Sequence, residues 1–143
     1  MTPRSRGDRD AGNAALELVI LAPVLLFLIG LIIAAGRIAI AQGSVAAAAR
    51  DAARQASIAR TPAAARAAAL GSARSVLAGE GLDCSPTVRL DVSGFAVPVG
   101  QPASVSATVS CEVRLSDLLL PGVPGGKLLT ATFVSPLDAY RAR

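Results

Sequence analysis

The sequence predicts an α+β chain, with a long N-terminal helix that crosses a membrane and continues into a stalk, then a second helix, then a small antiparallel β-sheet head. Three observations carry this expectation. From Leu18 to Ala35 no residue is charged. The alanine-rich stretch that follows keeps a helical pattern to about Ser57. After Cys84 the apolar repeat shortens to two, the period of a strand with one face buried. With 143 residues in all, one small domain is the most that remains once a helix is committed to a bilayer.

The first twelve residues are a short charged leader, with Arg4, Arg6 and Arg9 set against Asp8 and Asp10. They read either as a solvated tail or as a segment whose charge keeps it inside during insertion. Charge alone does not orient the chain, because Arg37, Arg50 and Arg54 lie beyond the other end of the apolar run.

The run itself is long enough to span. A helix rises about 1.5 Å per residue, so roughly 18–20 residues cross a hydrocarbon core of about 30 Å. Glu17 stands at its start, where a carboxylate is costly unless it snorkels to the interface or is neutralised by a partner charge. Pro23 lacks the backbone donor and clashes with the carbonyl of Val19, which predicts a kink or a loosened turn. Gly30 and Ala34 form a small-xxx-small pair suited to close helix contact, a pattern that apolar helices also contain by chance.

The string Gly12 … Ala15-Leu16-Glu17 … Leu21-Ala22-Pro23-Val24-Leu25-Leu26, with Gly36-Arg37 and the Ala-Ala-Arg-Asp-Ala-Ala-Arg run at 48–54, resembles the TadE-like family, the pseudopilins of tight-adherence (Flp-type) pilus systems. The likeness covers about the first sixty residues. It implies a single-pass protein of the bacterial cell membrane, N-terminus cytoplasmic and head extracytoplasmic, with a pilin-like architecture. It implies that a prepilin peptidase cuts after Gly12 and leaves Asn13 as the new N-terminus. Glu17 would then be the fifth residue of the mature chain, placed to neutralise the α-ammonium of a neighbouring subunit. The implied partners are the prepilin peptidase, other pilin or pseudopilin subunits, the inner-membrane assembly platform and the lipid bilayer. The resulting division is a cleaved leader at 1–12, a transmembrane helix at 13–36, a helical stalk at 37–60, a second helix at 61–81 and the exported head at 82–143. The ending Pro136-Leu137-Asp138-Ala139-Tyr140-Arg141 also resembles members of this family; Asp138 and Arg141 either pair on one turn or lie in a solvated tail.

Beyond the span, Ile38, Val45, Ala49, Ala52 and Ala56 can share one side of the helix, with Arg50, Asp51, Arg54 and Gln55 on others. Thr61-Pro62 reads as an N-cap followed by proline at the first helical position, opening a second helix to about Leu77 or Ala78. Leu70, Ala73 and Leu77 are its expected inner face, Arg66 and Arg74 its outer one. Gly79 and Gly81 can close it in left-handed conformations.

In the head, residues 103–115 alternate strictly, with Ala103, Val105, Ala107, Val109, Cys111, Val113 and Leu115 on one face. An earlier strand carries Val88, Leu90 and Val92 inward, and a third spans Leu128 to Val134. A hairpin loop at 93–102 and a helical turn at Ser116–Leu120 complete the expectation. Setting Cys84 opposite Cys111 also sets Val88 opposite Ala107, Leu90 opposite Val105 and Val92 opposite Ala103, all on the apolar face. Two buried thiols would fit the same positions, but export favours a Cys84–Cys111 disulfide.

The composition argues against most chemistry. The chain has no histidine, which removes the commonest general base and metal ligand. Two distant cysteines make no zinc cluster. The net charge of +4 is mild, its arginines are scattered, and three phenylalanines and one tyrosine offer no stacking platform, so nucleic acid is not an expected partner. No nucleophile–base set, paired carboxylates or phosphate loop stands in a plausible context, and no cofactor is expected. The leading expectation is therefore a structural one, a minor pseudopilin and not an enzyme, because the major pilins of such systems are little more than the helix. The alternative is an uncut bitopic anchor that displays a small disulfide-linked binding head to an envelope partner. A third reading, a secreted protein cleaved near Ala34-Ala35-Gly36, conflicts with a helix that continues past that point.

Overall fold

The computed structural model describes residues 7–118, 124–138 and 140. The chain divides into two compact units, Met1–Gly36 and Arg37–Arg143.

Helix α1 runs from Gly7 to Ser57 and carries Pro23 inside it without a break in its helical assignment. In the first unit, every side chain described from Glu17 to Ile33 is exposed, Leu18 at 66% and Phe27 at 68% among them. Fully burying one such side chain is worth roughly 1.5–3 kcal/mol, so this surface needs an apolar environment from outside the chain. It is the one segment among the described residues long and apolar enough to cross a membrane.

In the second unit, the later part of α1 becomes one-sided. Ala41, Ser44, Val45, Ala48, Ala49, Ala52, Ala53 and Ala56 are buried, following the 3.6-residue period. Its last turn is tied by Ser57 Oγ donating to the Arg54 carbonyl at 2.8 Å. Helix α2 (Pro62–Gly79) opens as the sequence predicts: the Ala64 amide donates to Thr61 Oγ1 at 3.2 Å and Pro62 occupies the first turn. At its other end the Leu82 amide donates to the Leu77 carbonyl at 2.9 Å and the Gly81 amide to the Ala78 carbonyl at 3.1 Å, the paired closure of a Schellman turn. Only Gly81 takes the left-handed conformation, at φ 71°; Gly79 stays within the helix. The buried stripe is Ala65, Ala69, Ala73 and Leu77, four residues apart, while Leu70 is only half-buried. Alanine faces on both helices allow close backbone approach at little side-chain entropy cost. Asp51 accepts a hydrogen bond from Ser72, which links α1 to α2.

Three strands form one antiparallel sheet in the order β1 (Thr87–Asp91), β2 (Ala103–Arg114) and β3 (Gly126–Leu137). The alternation predicted for β2 is present: Val105, Ala107, Val109, Cys111 and Val113 are buried. They share a single core with the alanine stripes of α1 and α2 and with Leu77, Leu129 and Leu137. The outer face is a hydroxyl surface, with Thr108 and Thr132 paired at 2.9 Å and Ser110 and Thr130 at 3.1 Å. β3 is longer than expected at both ends. It reaches Leu137 through Pro136, which stands opposite Ser104. Proline is tolerated there because β3 is an edge strand whose outward N–H needs no partner.

The register differs from expectation. Val88 faces Val109 and Leu90 faces Ala107, two residues away from the predicted pairs Val88–Ala107 and Leu90–Val105. Val92 lies outside the ladder, which ends at Asp91 opposite Ser106. A shift of two preserves which side chains face the core, so the apolar pattern alone does not distinguish the registers. The disulfide forms nonetheless, joining Cys84 to Cys111 with Cα atoms 5.9 Å apart. Cys84 precedes β1, and Pro86 between them cannot donate to a ladder, so the bridge runs obliquely from the connecting segment onto β2.

The β1–β2 connection contains a 3₁₀ turn at Ser93–Ala96. Gly94 is buried there, and a Cβ at that position would run into the Ser104 carbonyl oxygen and lie 2.9 Å from Leu137 Cδ1. Helix α3 occupies Leu115–Leu118. The rest of the helical turn expected to Leu120, and the Asp138–Arg141 pair through Arg141, fall outside the described residues.

Candidate functional site

The sequence places its chemistry on the N-terminal half of α1. Gly12 and Asn13 lie within that helix, as does Glu17 one helical turn beyond Asn13. Glu17 is exposed, at the edge of an apolar surface that is exposed as well. A carboxylate in this setting has two stable options, water at an interface or a positive partner in a dry one.

Pro23, Gly30 and Ala34 lie further along the same segment. A Cβ on Gly30 would meet nothing within 4 Å, so no close approach within the chain requires glycine there. Ala34 is half-buried. In the second unit, Cys84 and Cys111 are joined to each other and serve the head's architecture.

The second unit has charged clefts that the sequence did not reveal. One, of about 490 Å³, lies between the α1–α2 turn and the end of β3, with Ile58, Arg60, Leu137 and Asp138 on its walls. Beside it the Ser135 hydroxyl donates to Ser57 Oγ at 3.2 Å. Another, of about 350 Å³, is lined by Arg37, Ile40, Ala41 and Ser44 of α1 and by Glu80, Leu82, Asp83 and Val113. The residues from α1 and those after α2 are at least 36 positions apart in sequence, and the return of α2 along α1 brings them together.

Charged contacts elsewhere hold elements in place. Arg50 sits 5.4 Å from the centroid of the Phe133 ring, closing the exposed end of the core against β3. Gln42 Nε2 donates to the Thr130 carbonyl at 3.0 Å, capping part of the β3 edge. Asp91 Oδ1 accepts from the Ser93 amide at 2.9 Å. That backbone hydrogen bond, and secondarily one from the Ser93 side chain, hold the Asp91 carboxyl below its usual range. No group of His, Cys, Asp and Glu that could hold a metal ion occurs among the described residues.

Residues 12–54 match the family model described as TadE-like protein. The match begins on Gly12, includes Glu17 and the whole apolar run, and ends at Arg54 within the amphipathic part of α1. It agrees with the resemblance read from the sequence over the same residues. No curated protein and no solved structure matches the chain.

Proposed function

We propose that this protein is a minor pseudopilin that takes part in assembling a tight-adherence (Flp-type) pilus or a related secretion filament. The observation that carries the proposal is the TadE-like match, which starts on the residue after which cleavage is expected and covers the exposed apolar helix. Its role is structural, with the protein serving as a peptidase's substrate and not as an enzyme.

The mechanism follows from charge. Hydrolysis of the Gly12–Asn13 bond leaves a carboxylate on the released leader and an α-ammonium on Asn13, a group with a pKa of about 7.7–8.0 in the unperturbed state. Buried in a bilayer or filament, that ammonium and Glu17 each cost free energy alone and offset one another when paired between neighbouring subunits. The exposed apolar surface of α1 supplies the adhesion and the Glu17 pairing supplies the axial register. The head faces the extracytoplasmic side, where the Cys84–Cys111 bridge is stable. The partners are the prepilin peptidase, other pilin-like subunits and the membrane assembly platform.

The test is Glu17→Leu in cells that make the pilus. Membrane insertion is expected to stay at the wild-type level while surface filaments fall at least tenfold. Undiminished filaments would sink the role given to Glu17.

The second reading is an uncut anchor presenting the head to an envelope partner. It requires neither the cut nor an ionised Glu17.

A further inference from the structure

The cleft between the start of the second unit and the α2 C-terminus is built for a ligand with two opposite charges. Arg37 and Glu80 stand on its rim, and neither has an ion-pair partner among the described residues. Asp83, the other carboxylate there, is 3.9 Å from Arg114 and thus has a cation of its own. Ala41, Leu82 and Val113 provide an apolar lining. The volume of about 350 Å³ falls in the range of roughly 300–1,000 Å³ typical of small-ligand clefts. The Ser44 hydroxyl, in a residue only 5% exposed, lies 3.2 Å from the Ile40 carbonyl and 3.4 Å from Glu80 Oε2, within reach of both acceptors.

Position along the chain identifies the ligand's source. Arg37 and Ala41 follow Ala35, the end of the uncharged run, by two and six residues, about 3 and 9 Å of helix. The polar headgroup layer on each side of a bilayer is about 5–8 Å deep. Ile40, 70% exposed at the mouth of the cleft, carries the apolar surface up to it.

We propose that this cleft seats the headgroup of a membrane phospholipid that bears both a phosphate and a primary ammonium, the phosphate on Arg37 and the ammonium on Glu80. An anionic headgroup lacking the ammonium satisfies Arg37 but is repelled by Glu80. A quaternary ammonium cannot donate hydrogen bonds to the Glu80 carboxylate. The proposal rests on α1 crossing the membrane, and is independent of the cut after Gly12.

The test is native mass spectrometry of the full chain in detergent, titrated in parallel with phosphatidylethanolamine, phosphatidylglycerol and phosphatidylcholine of identical acyl chains. Retention of phosphatidylethanolamine is expected to exceed that of the other two at least fivefold. Arg37→Gln and Glu80→Gln should each lower it at least threefold, with amide-exchange protection of β2 unchanged. Equal retention of all three lipids, preference for phosphatidylglycerol, or selectivity that survives both substitutions would overturn the proposal. Flotation of the same chain with vesicles separates the premise from the proposal. A chain that floats without headgroup selectivity contradicts only the cleft, whereas one that does not float contradicts the membrane reading too.

Discussion

The two units solve the burial problem in opposite ways. In the first, the large apolar side chains described from Leu18 to Ile33 are all exposed. In the second, small side chains do most of the covering: seven buried positions of α1 and three of α2 are alanine or valine, and the largest fully buried side chains are Leu77, Val45, Val105, Val109 and Cys111. The difference teaches where each region's stability comes from. The exposed apolar part of α1 depends on an apolar environment such as a bilayer or neighbouring helices. The head is self-contained but has a shallow core, so it leans on three buried leucines, Leu77, Leu129 and Leu137, on one disulfide and on its caps.

The contrast can be broken with a pair of substitutions. Leu77→Ala opens a cavity at a site 1% exposed and should cost the head about 2–5 kcal/mol, read as lost amide-exchange protection across β2. Leu28→Ala, in the exposed part of α1, should leave that protection unchanged. Equal losses from both would show that the regions are not independent in stability. The disulfide sharpens the same point. It closes a loop of 27 residues, for which chain entropy gives about 3.5 kcal/mol. Cys84→Ser with Cys111→Ala should lower the urea midpoint of β2 exchange accordingly, while vesicle flotation stays as it was.

The smallest effect is electrostatic. The Asp91 carboxyl titrates below its usual 3.8 in the folded head because the Ser93 amide donates to it. Its contribution is therefore fully present above that unfolded value and is lost as pH falls through the folded one. Acid titration of head stability should show a shallow decline below about pH 4, and Asp91→Asn should remove that component alone. An unchanged acid limb in the variant would show that the hydrogen bond contributes nothing measurable.

Much of this architecture was legible because its signals are local. Thr61-Pro62 announces the start of α2 with a cap and a preset φ, and the alternation of 103–113 is visible residue by residue. The absence of charge from Leu18 to Ala35 needs no tertiary information. What was missed depends on distance or on parity. The β1–β2 register slipped by two because period-two patterning is blind to even shifts, and the Cys84–Cys111 bridge is compatible with both alignments. The far end of β3 lies beyond the expected Leu128–Val134 because a strand passes through Pro136 only at a sheet edge, a position that tertiary structure alone reveals. Gly94 carried no sequence signal for its approach to Ser104. That Arg37 and Glu80 line one cleft depends on the return of α2 along α1, which no local pattern encodes. The assembly chemistry of Gly12, Asn13 and Glu17 is what the resemblance to the TadE-like family implies, and these three residues lie within one helix.

The most direct measurement of the central claim is the intact mass and N-terminal sequence of the protein extracted from native membranes. A chain that begins at Asn13 is the predicted result, and establishes processing after Gly12 together with the new charge that Glu17 is placed to meet. A chain that still begins at Met1 or Thr2 would contradict it, and leave an uncut anchor whose Glu17 serves some other end.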